Sequence, residues 1–155
     1  MIKKSDLVII QDTREQTPLV FKNATVEVVG LSTGDYSLKN FTDKVTIERK
    51  SLSDLLGSLG VGRERFMNEV QRMRAFDYAA IVIETSLSDI YKGKWRSEMT
   101  VASVVGSLQA LSAKYGVHIL FADNPTIAAD TVEGLLYHFL RKQHEYLERI
   151  KPYLV

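Results

Sequence analysis

At 155 residues the chain is long enough to bury a core of its own and short for two independently stable units. Twenty Lys and Arg against 19 Asp and Glu give a formal charge of +1, so the molecule is no polycation and any affinity for nucleic acid has to come from a local patch. The absence of cysteine excludes a disulfide framework, a thiolate metal site and a cysteine nucleophile, and suits a reducing compartment.

From the N-terminus, "MIKKSDLVIIQD" carries an apolar run of only four residues, too short for a signal peptide or a membrane span. "DLVIIQD" predicts a buried strand, followed by a loop through "TREQTPL", where Pro18 argues against continuation. "TVEVVGL" predicts a second strand, and "GDYSL" with "VTIERK" an antiparallel hairpin pair joined by the polar stretch 39–43. Ser51 opens a helix to Leu59, with Asp54 at the capping-box position. Gly60 to Gly62 break it, and Arg63 to Phe76 predict a second helix with Phe66, Val70 and Met73 on one face.

"YAAIVIE" and "VHILFAD" are apolar runs of strand length on either side of a helix from about Thr100 to Lys114, a pattern that suggests a right-handed parallel crossover. The last helix takes Asn124 as N-cap and Pro125 as its first residue, and is expected to run to about Glu148. Its apolar positions Val132, Leu135, Leu136, Phe139 and Leu140 read as core or as a subunit interface. His118, His138 and His144 lack the spacing of a metalloprotease helix and read as solvated or core residues. No repeat, low-complexity tract or Pro/Gly/Ser linker divides the chain, so one domain over 1–155 is expected.

The strand period of two puts Val45, Ile47 and Arg49 on one face of "VTIERK" and Thr46, Glu48 and Lys50 on the other. Antiparallel pairing with "GDYSL" can bring Asp35 near Glu48, with Gly34 allowing the backbone to bend or approach closely. Two carboxylates about 4 Å apart repel by roughly 4 kcal/mol at an effective dielectric of 20, so they share a proton or hold a cation. Mg²⁺ resolves the conflict, taking one or two carboxylates plus phosphate oxygens and water. Lys50 beside them can orient or deprotonate a water, or oppose the charge that builds on phosphate. On spacing alone an edge hairpin with a solvated Glu48 and Lys50 pair explains the pattern equally well.

The longer string "GDYSLKNFTDKVTIERKSLSDLLGSL" closely resembles the signature of the XPF-like structure-specific endonucleases: GDY, a variable connection, then ERK-x3-D after an apolar residue. The upstream "DTREQ" resembles that family's D-x-R-E element, and "GRERFMNEVQRM" its next helix, so the resemblance covers roughly Val8 to Glu84. It implies an α/β fold with a restriction-endonuclease-like (PD-(D/E)xK) core, a mixed central sheet flanked by helices. It also implies a site for Mg²⁺ (or Mn²⁺) at Asp35 and Glu48, with Asp12 as a further acid lining it, Glu15 as a weaker candidate and Lys50 as the catalytic lysine. Arg49 matches the family's arginine, yet alternation points it away from Glu48, to where it can pair with an acid behind the sheet; Arg14 is similarly ambiguous. Asp54 matches the last motif acid, and helix capping with indirect support of the site is favoured over direct ligation. Tyr36 is expected on the opposite strand face, packed in the core.

The cations Arg63, Arg65, Arg72 and Arg74 of the second helix read either as a solvated face or as a phosphate-binding rim. "YKGKWR", a predicted loop, offers Lys92, Lys94 and Arg96 to phosphate and Trp95 to a base, or Trp95 packs the loop. "GSLGVGRERF" lacks a P-loop ending, and no ATP-driven activity is expected. The function implied is a divalent-metal-dependent endonuclease on branched, flapped or single-strand/double-strand junction DNA; the alternative is a noncatalytic DNA-binding or scaffold subunit. Neither a helicase region nor a tandem helix-hairpin-helix module is found, so a homodimer or a separate DNA-binding partner is expected to supply grip. The corresponding location is cytoplasmic or nucleoid-associated, or nuclear in a eukaryote.

Overall fold

A computed structural model describes residues 1–154. Among them lies one six-stranded sheet: β1 (Val8–Gln11), β2 (Thr25–Val28), β3 (Tyr36–Leu38), β4 (Val45–Ser51), β5 (Tyr78–Glu84) and β6 (His118–Phe121). Its order is β2-β1-β3-β4-β5-β6. The β1/β3 and β3/β4 pairs are antiparallel and the β1/β2, β4/β5 and β5/β6 pairs parallel, so the sheet is mixed. The helices are α1 (Leu52–Leu59), α2 (Arg63–Met73), α3 (Leu87–Lys92), α4 (Val101–Tyr115) and α5 (Pro125–Ile150). No helix among the described residues is long and apolar enough to cross a membrane.

The continuous apolar run of β5 is explained by cover on both sides of the sheet. Val45, Ile47 and Val82 join Tyr36, Leu38 and Ile9 in a cluster closed by Ala128, Val132, Leu136 and Phe139 of α5. On the other side Ala79, Ile81 and Ile83 pack against Leu55 and Leu59 of α1, Phe66, Val70 and Met73 of α2, and Val104, Leu108 and Leu111 of α4. The alternation of β5 thus feeds both layers, and the apolar positions expected on α5 are indeed packed in the core.

Buried Glu133 of α5 ties the segment before β2 to this layer. Its carboxylate accepts from the Asn23 amide (2.9 Å), the Asn23 side chain (3.0 Å) and the Ala24 amide (2.8 Å). Burial works to raise this acid, but those donors outweigh it and hold Glu133 below the ordinary glutamate range.

Among the departures from sequence expectation, three bear on the elements around the site. The strand predicted from Gly34 begins only at Tyr36, because Gly34 has φ +80° and turns the chain. A Cβ there would also lie 2.0 Å from Thr46 Oγ1, so both the torsion and the space require glycine. Second, α2 stops at Met73 rather than Phe76. Third, Tyr91 and Lys92 of the predicted "YKGKWR" loop lie in the last turn of α3, which Ser86 caps by accepting from the Asp89 amide (3.0 Å) and which Gly93 ends in the left-handed conformation.

Candidate active site

The turn at Gly34 delivers Asp35 to the edge of β4. Its amide donates to the Ile47 carbonyl (2.9 Å), its carbonyl accepts from the Asp12 amide (2.8 Å), and its Oδ2 accepts from the Arg49 amide (2.8 Å). The Asp35 carboxylate is thereby fixed over the strand that carries Glu48 and Lys50. All three line one open cavity of about 710 Å³, together with Arg14, Ser51, Asp54, Arg65, Phe66 and Glu69. Glu48 is 8% exposed and Lys50 9%, so the solvated edge pair is not what the chain builds.

Burial dominates the electrostatics here. It raises the Asp35 carboxyl above the ordinary aspartate value, and the negative charge of Asp12 adds to that, against the pull of the Arg49 amide and the Lys50 ammonium. Lys50 is lowered by burial, which outweighs the favourable charges of Asp35 and Asp54. Its Nζ sits 4.9 Å from the centre of the Phe66 ring, which steadies the cation by its π face.

Arg49 stands on the face of β4 opposite Glu48, as alternation requires, yet with its partners Glu15, Thr17 and Glu84 it still borders the same cavity. Its Nε donates to Glu84, its Nη1 donates to the Thr17 carbonyl and lies 3.6 Å from Glu15. The acid expected as its partner is a pair, Glu15 and Glu84, drawn from the loop after β1 and the end of β5, and both border the cavity. Tyr36 is fully buried on the same side, its hydroxyl accepting from the Leu19 amide (2.8 Å).

Asp12 stands differently from a ligand lining the cavity. It is 2% exposed, its Oδ1 accepts from the Leu31 amide (2.8 Å) and its Oδ2 from Arg14 Nε (2.8 Å). Burial works to raise it, but the Leu31 amide and Arg14 prevail and hold it low. With both oxygens occupied, Asp12 fixes the loop that carries Arg14, whose Nη2 also donates to the Leu31 carbonyl (2.8 Å). Asp54 likewise departs from the capping box: Ser51 Oγ accepts from the Asp54 amide (3.1 Å), while the Asp54 side chain lines the cavity near Lys50.

Glu69 is the cavity acid that motif reading missed. It lies on α2 in phase with Phe66, Val70 and Met73, and a charge inside an apolar 3–4 spacing is the sequence signal that marks it. Its Oε1 is buried without a hydrogen-bond partner among the described residues. Burial, then the charge of Asp35, pushes its carboxyl up to about 7.

The expected DNA-contacting cations divide. Exposed Arg65 lines the cavity, and exposed Arg96 lines a neighbouring one with Trp95, Val61, Leu52 and Leu56; the two cavities share Ser53 and Gly57. Trp95 is half-buried and its Nε1 donates to the Met99 carbonyl (2.8 Å), so it packs the loop while bordering the second cavity. Arg72 Nε donates to Thr33 Oγ1 (3.2 Å), and Lys92 pairs with Asp89 (3.2 Å). Arg63 and Lys94 are exposed, and neither of them lines either cavity.

The donor set fits a hard divalent cation: anchored Asp35, nearly buried Glu48 and an orphaned Glu69 oxygen share one cavity. Among the described residues no group of three or more acidic or histidine side chains is arranged to hold a metal ion by itself, so waters or phosphate oxygens would have to complete the shell.

Residues 10–135 match the family model described as the ERCC4 domain. The chain belongs to the ERCC4 domain family. Among curated ERCC4-type relatives, "DNA repair endonuclease XPF" of Drosophila melanogaster is 29% identical over 138 residues, covering 83% of this chain and 14% of the relative. "3'-flap repair endonuclease Xpf" of Saccharolobus solfataricus is 26% identical over 139 residues, covering 84% of this chain and 55% of the relative. The chain thus spans between about one seventh and just over half of these relatives. Two solved structures of XPF from Aeropyrum pernix superpose with a TM-score of 0.68. One, at 22% identity, covers 83% of this chain and 59% of the other; the second, a complex with DNA, covers 88% and 66% at 23% identity. The ERCC4 domain described here is XPF-like, and its mixed sheet between helices is a restriction-endonuclease-like core.

Proposed function

We propose that the chain is a divalent-metal-dependent DNA endonuclease that hydrolyses phosphodiester bonds at branched, flapped or single-strand/double-strand junctions. The observation that carries this reading is the convergence of Asp35, Glu48 and Lys50 in one cavity of an ERCC4-type fold. Flapped DNA as substrate is supported by the Saccharolobus relative, a 3'-flap repair endonuclease, and DNA itself by the Aeropyrum complex.

Asp35 and Glu48 would hold Mg²⁺ or Mn²⁺, which when bound supplies Lewis acidity toward the phosphate. Asp35 is kept in place by the Arg49 amide, and Lys50 orients the attacking water through Nζ and opposes the negative charge that builds on phosphate. Arg65 at the rim and Arg96 beside Trp95 take the phosphates of the strand entering the cavity. Asp12 and Arg14 shape the loop that borders it, and Arg49, with Glu15 and Glu84, steadies β4 from behind.

Cleavage of a panel of flaps, forks and unbroken duplexes with Mg²⁺ or Mn²⁺ tests the assignment. The parent should cut junction substrates in preference to duplex, and Asp35→Asn and Lys50→Ala should lose cutting. Equal cleavage by parent and variants overturns it. We also place a homodimer or partner-subunit interface at the end of α5, where Tyr146, Leu147 and Ile150 are exposed; light scattering with and without forked DNA checks the assembly.

A further inference from the structure

Glu69 is held by α2 rather than by the motif strands. Phe66, Val70 and Met73 bury one face of that helix and fix its carboxylate at the wall facing Asp35 and Lys50. A buried carboxylate oxygen without a donor is costly unless something binds it. None of the neighbouring cations donates to it: Lys50 lies over the Phe66 ring, Arg72 donates to Thr33, Arg14 donates to Asp12 and the Leu31 carbonyl, and Arg65, one turn away on the same cavity, makes no ion pair with it. Glu69 Oε1 is thus left to water in the open cavity, or to a hydrated ligand that the cavity holds.

We infer that Glu69 is a positioning residue for a hydrated divalent cation, accepting hydrogen bonds from the water shell of an ion carried by Asp35 and Glu48. The inference rests on the metal-dependent reading above. The role is placed in the water shell because Glu69 belongs to no three-residue ligand group among the described residues. Partners of this kind typically alter metal affinity by about 10- to 100-fold.

The test is calorimetric titration of Mn²⁺ and of Mg²⁺ into the full chain without DNA. Glu69→Gln, isosteric with the parent, should weaken binding by about 10-fold or more. Asp35→Asn should lose binding, and Glu64→Gln, at an exposed acid on the same helix, should stay within about twofold. Parent-like affinity in Glu69→Gln with loss in Asp35→Asn overturns the role of Glu69 and leaves the metal reading standing. Parent-like affinity in both overturns both. Equal weakening by Glu64→Gln reduces the effect to net charge and also overturns the inference. Thermal unfolding adds a second readout: without metal Glu69→Gln should melt no lower than the parent, while its Mg²⁺-induced rise in melting temperature should shrink. A rise as large as the parent's overturns the proposal.

Discussion

The Asp35 carboxylate accepts a hydrogen bond from the Arg49 backbone amide at 2.8 Å, so an acid from one strand is aimed by the main chain of the next. Asparagine keeps an acceptor oxygen at that position but not the charge. Asp35→Asn should therefore fold with a melting temperature at or above the parent's, since the buried charge that raises this acid is gone. Its cleavage rate should fall on the order of 100-fold or more. Paired unfolding and single-turnover cleavage measurements check both halves.

Arg49 makes the opposite prediction. It is 11% exposed on its side chain and balances Glu15 and Glu84, also 11% and 12% exposed. Arg49→Met leaves those carboxylates without their cation and should cost about 3–5 kcal/mol in urea unfolding. Arg49→Lys should recover part of that loss, because one ammonium cannot reproduce the planar fork.

Gly34→Ala should destabilise by about 1–3 kcal/mol from its torsion alone, with a further cost from the contact at Thr46. Because the displaced residue next in line is Asp35, cleavage should fall more than stability does. Full activity in a stably folded Gly34→Ala protein would show that the turn does not position the acid.

Glu133 carries a pH signature away from the cavity. Its folded value lies below its unfolded value of 4.5, so its contribution is complete above pH 4.5 and is lost as pH falls through the depressed folded value. Glu133→Gln should cost about 1–3 kcal/mol near neutrality and flatten the acid limb of the stability curve below pH 4.5. Stability curves from pH 2 to 7 for the two proteins, read by thermal melts, check it, about five points sufficing.

Much of this arrangement is legible in sequence because it depends on short-range geometry. Period-two alternation separates Glu48 and Lys50 from Arg49, and the glycine before Asp35 marks the turn. Glu84 is not legible as Arg49's partner, since only the parallel β4/β5 register, Arg49 opposite Val82, brings a residue 35 positions away alongside it. The motif places Asp12 near the site, but the Leu31 amide and Arg14 that anchor its oxygens are not legible in it. The short helix α3 hid behind its basic and aromatic residues, although Ser86 and Gly93 are ordinary start and stop signals.

The alternation of β4 also sets what kind of change the chain tolerates. Its connection to β3 lies at the surface, where an added residue costs little. A single residue inserted between Ile47 and Lys50 would instead send every following side chain to the opposite face, exchanging the sides on which Lys50 and Arg49 stand. The strand therefore behaves as a fixed-length reading frame between two faces of different chemistry, more open to substitution than to insertion.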